Sequence, residues 1–79
     1  MQADKLVRMA NQIATFFKAQ GEALAPAAIA DHLKQFWEPR MRKDILAHLD
    51  QGGAGLDPLA RQAVELLAHV ELLAQGKKH

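Results

Sequence analysis

The feature that most constrains this chain is a helical spacing of apolar residues that occurs four times along it. Apolar side chains follow one another at intervals of three and four residues, which is the period of an α-helix. β-branched residues are few, and no segment alternates apolar and polar residues with a period of two. The chain is therefore predicted to be all-α.

Prolines, glycines and capping residues divide this pattern into four helices. The predicted helices span about residues 4–20, 26–37, 39–51 and 58–75. Asp57 and Pro58 form the clearest start, as an N-cap followed by a first-turn proline. The glycine-rich residues 51–55 cannot hold a helix cheaply and are predicted to form a flexible loop. Short connections predict a small, largely antiparallel bundle of about four helices, in one domain over residues 1–79.

Length and composition limit how such a bundle is stabilised. A chain of 79 residues buries only about 60% of its unfolded surface, so its stability is expected to be marginal. The chain has no cysteine, which excludes disulfides and thiolate metal sites. A partner subunit is the remaining source of buried area, which favours an accessory component of a larger assembly.

Residues able to carry out chemistry are scarce. The chain has no serine or tyrosine, and Thr15 is its only hydroxyl side chain, so a serine or cysteine triad is impossible. The histidines include no pair four residues apart, and Asp44 with His48 is interpreted as a surface pair. His48 itself is expected to reach a carbonyl or water. We predict no catalytic residues, no metal ligands and no cofactor in this chain.

Two large aromatic residues, a proline and three cations are concentrated in the segment Phe36-Trp37-Glu38-Pro39-Arg40-Met41-Arg42-Lys43. Cations in the first turn of a helix oppose its dipole, which indicates an anionic surface waiting there. Aromatic residues beside arginine are typical of interface hot spots, with Trp37 as anchor and Arg40 and Arg42 as ion-pairing groups. The predicted partner-binding residues are Phe36, Trp37, Glu38, Arg40, Arg42 and Lys43.

Other interpretations of these features stay open. The cations are also compatible with a solvated face or with nucleic acid, although a net charge of +1 disfavours the latter. Adjacent helical residues point about 100° apart, so one member of each doublet, 16–17 and 36–37, is expected at the flank of its stripe. Three further apolar residues fall outside the predicted core arcs: Leu46, Val64 and Leu72.

Targeting and membrane signals are not evident in the sequence. No run approaches the roughly 18 apolar residues that a membrane-spanning helix needs. Residues 1–8 mix charges and lack the apolar core of a secretion signal. A cytoplasmic protein is expected, without a membrane partner.

Several stretches resemble the delta subunit of soluble NAD-dependent, molybdenum-containing formate dehydrogenases. The most specific is the run from Phe36 to Arg42, Phe-Trp-Glu-Pro-Arg-Met-Arg. The stretch from Lys5 to Ala14 followed by the doublet 16–17 is similar to the start of that family. The glycine loop with Gly55-Leu56-Asp57-Pro58-Leu59 is similar to its later part.

The resemblance implies a small non-catalytic subunit of an enzyme that oxidises formate to carbon dioxide and reduces NAD. It implies that the molybdenum cofactor, iron–sulfur clusters, FMN and NAD belong to larger subunits, chiefly the catalytic alpha subunit as partner. The expected role is to stabilise the assembly. The alternatives are a transient chaperone for cofactor insertion and, in a different class, a small helical nucleic-acid-binding regulator.

Overall fold

Four helices make up the part of the chain that the computed structural model describes, residues 3–76, with side chains described as far as residue 73. Helix α1 is Ala3–Gln20, α2 is Ala25–Phe36, α3 is Pro39–Asp50 and α4 is Pro58–Gly76. A 3₁₀ turn, Glu22–Leu24, precedes α2. Strands are absent from these residues, so the prediction of a small all-α bundle is confirmed. The tail after Gly76 lies outside the described residues.

The junction between α2 and α3 is set by Pro39. Trp37 and Glu38 both have extended backbone, with ψ of 137° and 153°. A residue before proline disfavours the α conformation, because the proline ring crowds its backbone. Helix α2 therefore ends at Phe36, and Trp37 lies past the end of the helix in which the sequence pattern placed it.

Helix α3 ends in a glycine-assisted cap. The Gly53 amide donates to the His48 carbonyl at 2.9 Å, and the Gly52 amide donates to the Leu49 carbonyl at 3.0 Å. This pair of bonds is the Schellman arrangement, which satisfies carbonyls that the helix itself leaves free. Gly52 adopts a φ of +121°, a value that side-chain-bearing residues rarely take.

The amide side chain of Asn11 joins the glycine loop to α1. Its Nδ2 donates to the Gly55 carbonyl at 2.9 Å, and its Oδ1 accepts from the Asp57 amide at 2.9 Å. The Asn11 side chain therefore satisfies one backbone carbonyl and one backbone amide just before the start of α4.

Side chains of α3 and α4 also bond to the glycine loop. The Nε2 of His48 lies 2.8 Å from the Ala54 carbonyl, so the expectation that His48 reaches a carbonyl is confirmed. The Nη1 of Arg61 donates to the Gly52 carbonyl at 2.9 Å. The sequence predicted a flexible loop because of its glycines, whereas side chains from α1, α3 and α4 bond to it.

The core lies where α4 packs against α1, α2 and α3, with its most extensive contact against α2. Small side chains fill much of it, which allows the helices to approach closely. The buried apolar residues are Leu6, Val7, Ala10, Ala14, Ala25, Ile29, Ala30, Leu33, Trp37, Ile45, Ala60, Ala63, Val64 and Leu67.

The buried face of α4 differs from the predicted one. Val64 was predicted outside the core arc, and this is wrong, because it is fully buried. Leu66, Val70 and Leu73 continue the helical spacing of apolar residues but are 37–55% exposed. The buried residues Ala60, Ala63, Val64 and Leu67 form one stripe at helical spacing, and this stripe is turned toward Val64, where α4 packs against the other helices. Leu72 is exposed, as predicted.

Candidate docking surface

Phe36 and Trp37 are adjacent in the predicted partner-binding segment, but one is exposed and the other is buried. The Phe36 side chain is 70% exposed, whereas Trp37 is 5% exposed and belongs to the core. The prediction that Trp37 is an accessible anchor is therefore wrong. The extended backbone after α2 directs its indole inward, where a helical continuation would have placed it differently.

Arg42 was predicted to pair with a partner, but its guanidinium forms hydrogen bonds within the chain. Its Nε donates to Glu71 Oε1 of α4 at 2.9 Å. Its Nη1 donates to the carbonyls of Trp37 at 2.7 Å and Lys34 at 3.2 Å. These carbonyls lie at the C-terminal end of α2, where a cation is favourable. The cation that opposes the dipole of α3 is thus stabilised by the end of the preceding helix.

The remaining predicted residues of this segment are accessible. Glu38, Arg40 and Lys43 are all exposed. Within residues 3–76, neither cation has a hydrogen bond or ion pair through its side chain. We call these three residues the cationic turn, and they surround the N-terminus of α3.

Four aromatic rings from α1 and α2 form a continuous series that we call the aromatic strip, consisting of Phe16, Phe17, His32 and Phe36. The centroids of the two adjacent phenylalanines of α1 are 5.3 Å apart, with the rings nearly perpendicular at 81°. The His32 ring lies 5.9 Å from that of Phe17 and 4.8 Å from that of Phe36. Edge-to-face and tilted packing of this kind holds each ring in place.

The two ends of the aromatic strip are open to solvent. Phe16 is 60% exposed and Phe36 is 70% exposed, while Phe17 and His32 are half-buried between them. The expectation that one member of each doublet lies at the flank is confirmed by both pairs. Leu24, at 77% exposure, borders an adjoining hollow with Phe17. The rings of the aromatic strip therefore pack against one another, and the outer faces of Phe16 and Phe36 remain exposed to solvent.

The hollow beside the aromatic strip is lined mainly by apolar side chains. Met9, Gln12 and Ile13 of α1 line it together with Phe16, Phe17 and His32. The charged residues of α2 lie elsewhere, since Asp31 and Lys34 border a separate groove against Leu66 and Val70 of α4. Covering this hollow therefore buries no aspartate, glutamate, lysine or arginine side chain, whose desolvation would be costly.

The two doublets are visible in the sequence, but their proximity in the folded protein was not predicted. Helical spacing within each segment does not show that Phe16 and Phe17 of α1 lie beside His32 of α2. The missing information is tertiary: the strip forms because α1 and α2 pack side by side. The doublets themselves were the available signal, because a helix cannot bury both members of an adjacent pair against one neighbour.

Among the described side chains, no group of three or more histidine, aspartate or glutamate residues could hold a metal ion. Every buried side-chain nitrogen or oxygen atom within this part of the chain has a hydrogen-bond partner. None of the described helices is long and apolar enough to cross a membrane.

A comparison with protein families gives one match. The family model described as "NADH-dependant formate dehydrogenase delta subunit FdsD" matches residues 5–64. This range includes the whole aromatic strip and the cationic turn. No curated protein and no solved structure matches the chain.

Proposed function

This chain belongs to the delta-subunit family of NADH-dependent formate dehydrogenase, and we propose that it is a non-catalytic accessory subunit that binds a larger subunit of that enzyme and stabilises the assembly. The larger subunit proposed as partner is the catalytic alpha subunit. The molybdenum cofactor, iron–sulfur clusters, FMN and NAD site belong, in this proposal, to the larger subunits, and the complex is cytoplasmic.

The observation that supports docking most directly is the exposure of the aromatic strip. Two phenylalanines that are 60% and 70% exposed are a large apolar surface for a bundle of 79 residues. If each side chain offers about 150–250 Å², a partner covering both removes about 200–300 Å² from water. At about 25 cal/mol per Å², that gives about 5–8 kcal/mol before the costs of association.

The Trp37 side of the segment contributes in another way. Because the indole and the Arg42 guanidinium hold α2, α3 and α4 together, they fix the direction in which Phe36 and the cationic turn face outward. The cationic turn then offers two cations to an anionic partner, rather than the three counted in the sequence. This reduces the support for nucleic acid as the ligand.

Co-expression with the larger subunits tests the proposal. An affinity tag on this chain should recover active formate dehydrogenase, with native mass spectrometry showing a fixed stoichiometry. Enzyme prepared without the chain should lose formate-dependent NAD reduction faster on warming. Recovery of cofactor-free enzyme alone would favour the chaperone alternative, and recovery of neither form would contradict both.

A further inference from the structure

The charge distribution around the aromatic strip is asymmetric. The hollow beside it is lined by apolar side chains together with Gln12 and His32, whereas the Phe36 end is followed by the cationic turn. Only three residues separate Phe36 from Arg40, so their Cα atoms are at most about 14 Å apart. An occupant that covers Phe36 and continues by a few turns therefore reaches these cations.

The cationic turn attracts carboxylates for two additive reasons. Arg40 and Lys43 outnumber Glu38, and neither cation is paired within residues 3–76. The free backbone N–H groups at the N-terminus of α3 add a partial positive charge at the same place. The guanidinium of Arg42 is bonded at the end of α2 instead. A matching surface carries Asp or Glu opposite this end and uncharged apolar side chains opposite the rings.

The form of the hollow favours a helix as occupant. It lies between residues of α1 and α2, and a third helix packs along two others by fitting its side-chain ridges into their groove. Addition of an extended strand would require a free sheet edge, and residues 3–76 contain no strand.

We propose that the aromatic strip and the cationic turn together bind one amphipathic helix of a larger formate dehydrogenase subunit, with its apolar face on the rings and its carboxylates on Arg40 and Lys43. This inference rests on the proposed function and adds to it the kind of segment bound and its polarity. The apolar contact supplies most of the affinity, and the charges set the direction in which the helix lies.

Photo-crosslinking within the co-expressed complex locates the bound segment. A photoreactive phenylalanine analogue replaces Phe16 in one variant, Phe36 in a second and Leu72, an exposed control on α4, in a third. The first two should crosslink to a single segment with apolar residues at helical spacing, and Asp or Glu should lie toward the Phe36 end. Crosslinks to separate segments, to a second copy of this chain, or from Leu72 alone would overturn the inference.

Charge reversal tests the polarity independently. The double variant Arg40→Glu/Lys43→Glu should bind the purified larger subunits at least 10-fold more weakly at low salt, and the difference should shrink as salt rises. Lys18→Glu is the matched control, because Lys18 borders a different hollow with Glu22 and Asp57. Equal losses in both variants, or no loss in the double variant, would contradict the assigned carboxylates.

These results separate the inference from the proposed function. If the tagged chain recovers active enzyme but crosslinks elsewhere, the accessory-subunit role stands and the helix assignment fails. If the tagged chain recovers no larger subunit, both fail.

Discussion

The aromatic strip and the Trp37–Arg42 pair both contain large aromatic residues, but they differ in what surrounds them. Trp37 and Arg42 are covered or bonded by their own chain, whereas the ends of the aromatic strip face solvent. On the inner side, the indole is covered by the core, and Arg42 is bonded to Glu71 and to two carbonyls of its own chain. On the outer side, the ring of Phe16 packs against Phe17, the ring of Phe36 packs against His32, and both otherwise face solvent. An aromatic residue beside arginine thus indicates a binding site only where the chain itself leaves both unsatisfied.

The largest expected difference between the two regions is in folding stability. Trp37→Ala should lower the free energy of unfolding by about 3–5 kcal/mol, because it opens a cavity in the core. Phe36→Ala, the adjacent control, should change it by about 0.5 kcal/mol or less, as exposed substitutions do. Urea unfolding followed by circular dichroism measures both. Equal losses would mean that the two side chains are not in different environments.

Arg42 should give the next largest effect. Arg42→Ala should destabilise the chain by about 2–3 kcal/mol, since it removes charged hydrogen bonds and leaves Glu71 and two carbonyls without their partner. Lys43→Ala is the matched control and should be nearly neutral, because its cation is exposed and unpaired within residues 3–76. Comparable unfolding midpoints for the two variants would count against the cap described for the end of α2.

Substitution of Asn11 should change folding stability without changing docking. Asn11→Ala removes two hydrogen bonds between α1 and the glycine loop and should cost about 1–2 kcal/mol of folding stability. It should leave affinity for the larger subunits unchanged, because the loop is not part of the aromatic strip. Thermal unfolding and a binding titration of the same preparation check both statements. A large loss of affinity with unchanged stability would place the loop in the interface.

The helices themselves could be predicted because their signals are local. Proline at Pro39 and Pro58 and the glycines of residues 51–55 act through backbone sterics and hydrogen bonding, which do not depend on the rest of the molecule. The observed helix ends accordingly lie within one residue of the bounds inferred from the sequence.

The candidate site was harder to predict because helical periodicity stops where a helix stops. Trp37 comes after the last residue of α2, so a helical wheel gives the wrong direction for its indole. Val64 failed for another reason, since the one stripe that α4 buries is turned toward it, and the direction of that stripe depends on which helices pack against α4. The partners of Arg42 also depend on Glu71, 29 residues away, which spacing along the chain does not reveal.

Affinity of a Phe16→Ala/Phe36→Ala double variant for the purified larger subunits tests the central claim most directly. Since a single interface hot spot contributes about 2 kcal/mol or more and two such losses need not add, we expect at least about a 30-fold weaker affinity in a double variant that unfolds at the wild-type urea concentration. Leu72→Ala, an equally exposed apolar control, should bind within about 3-fold of wild type. A folded double variant that binds as tightly as the wild type would contradict the account.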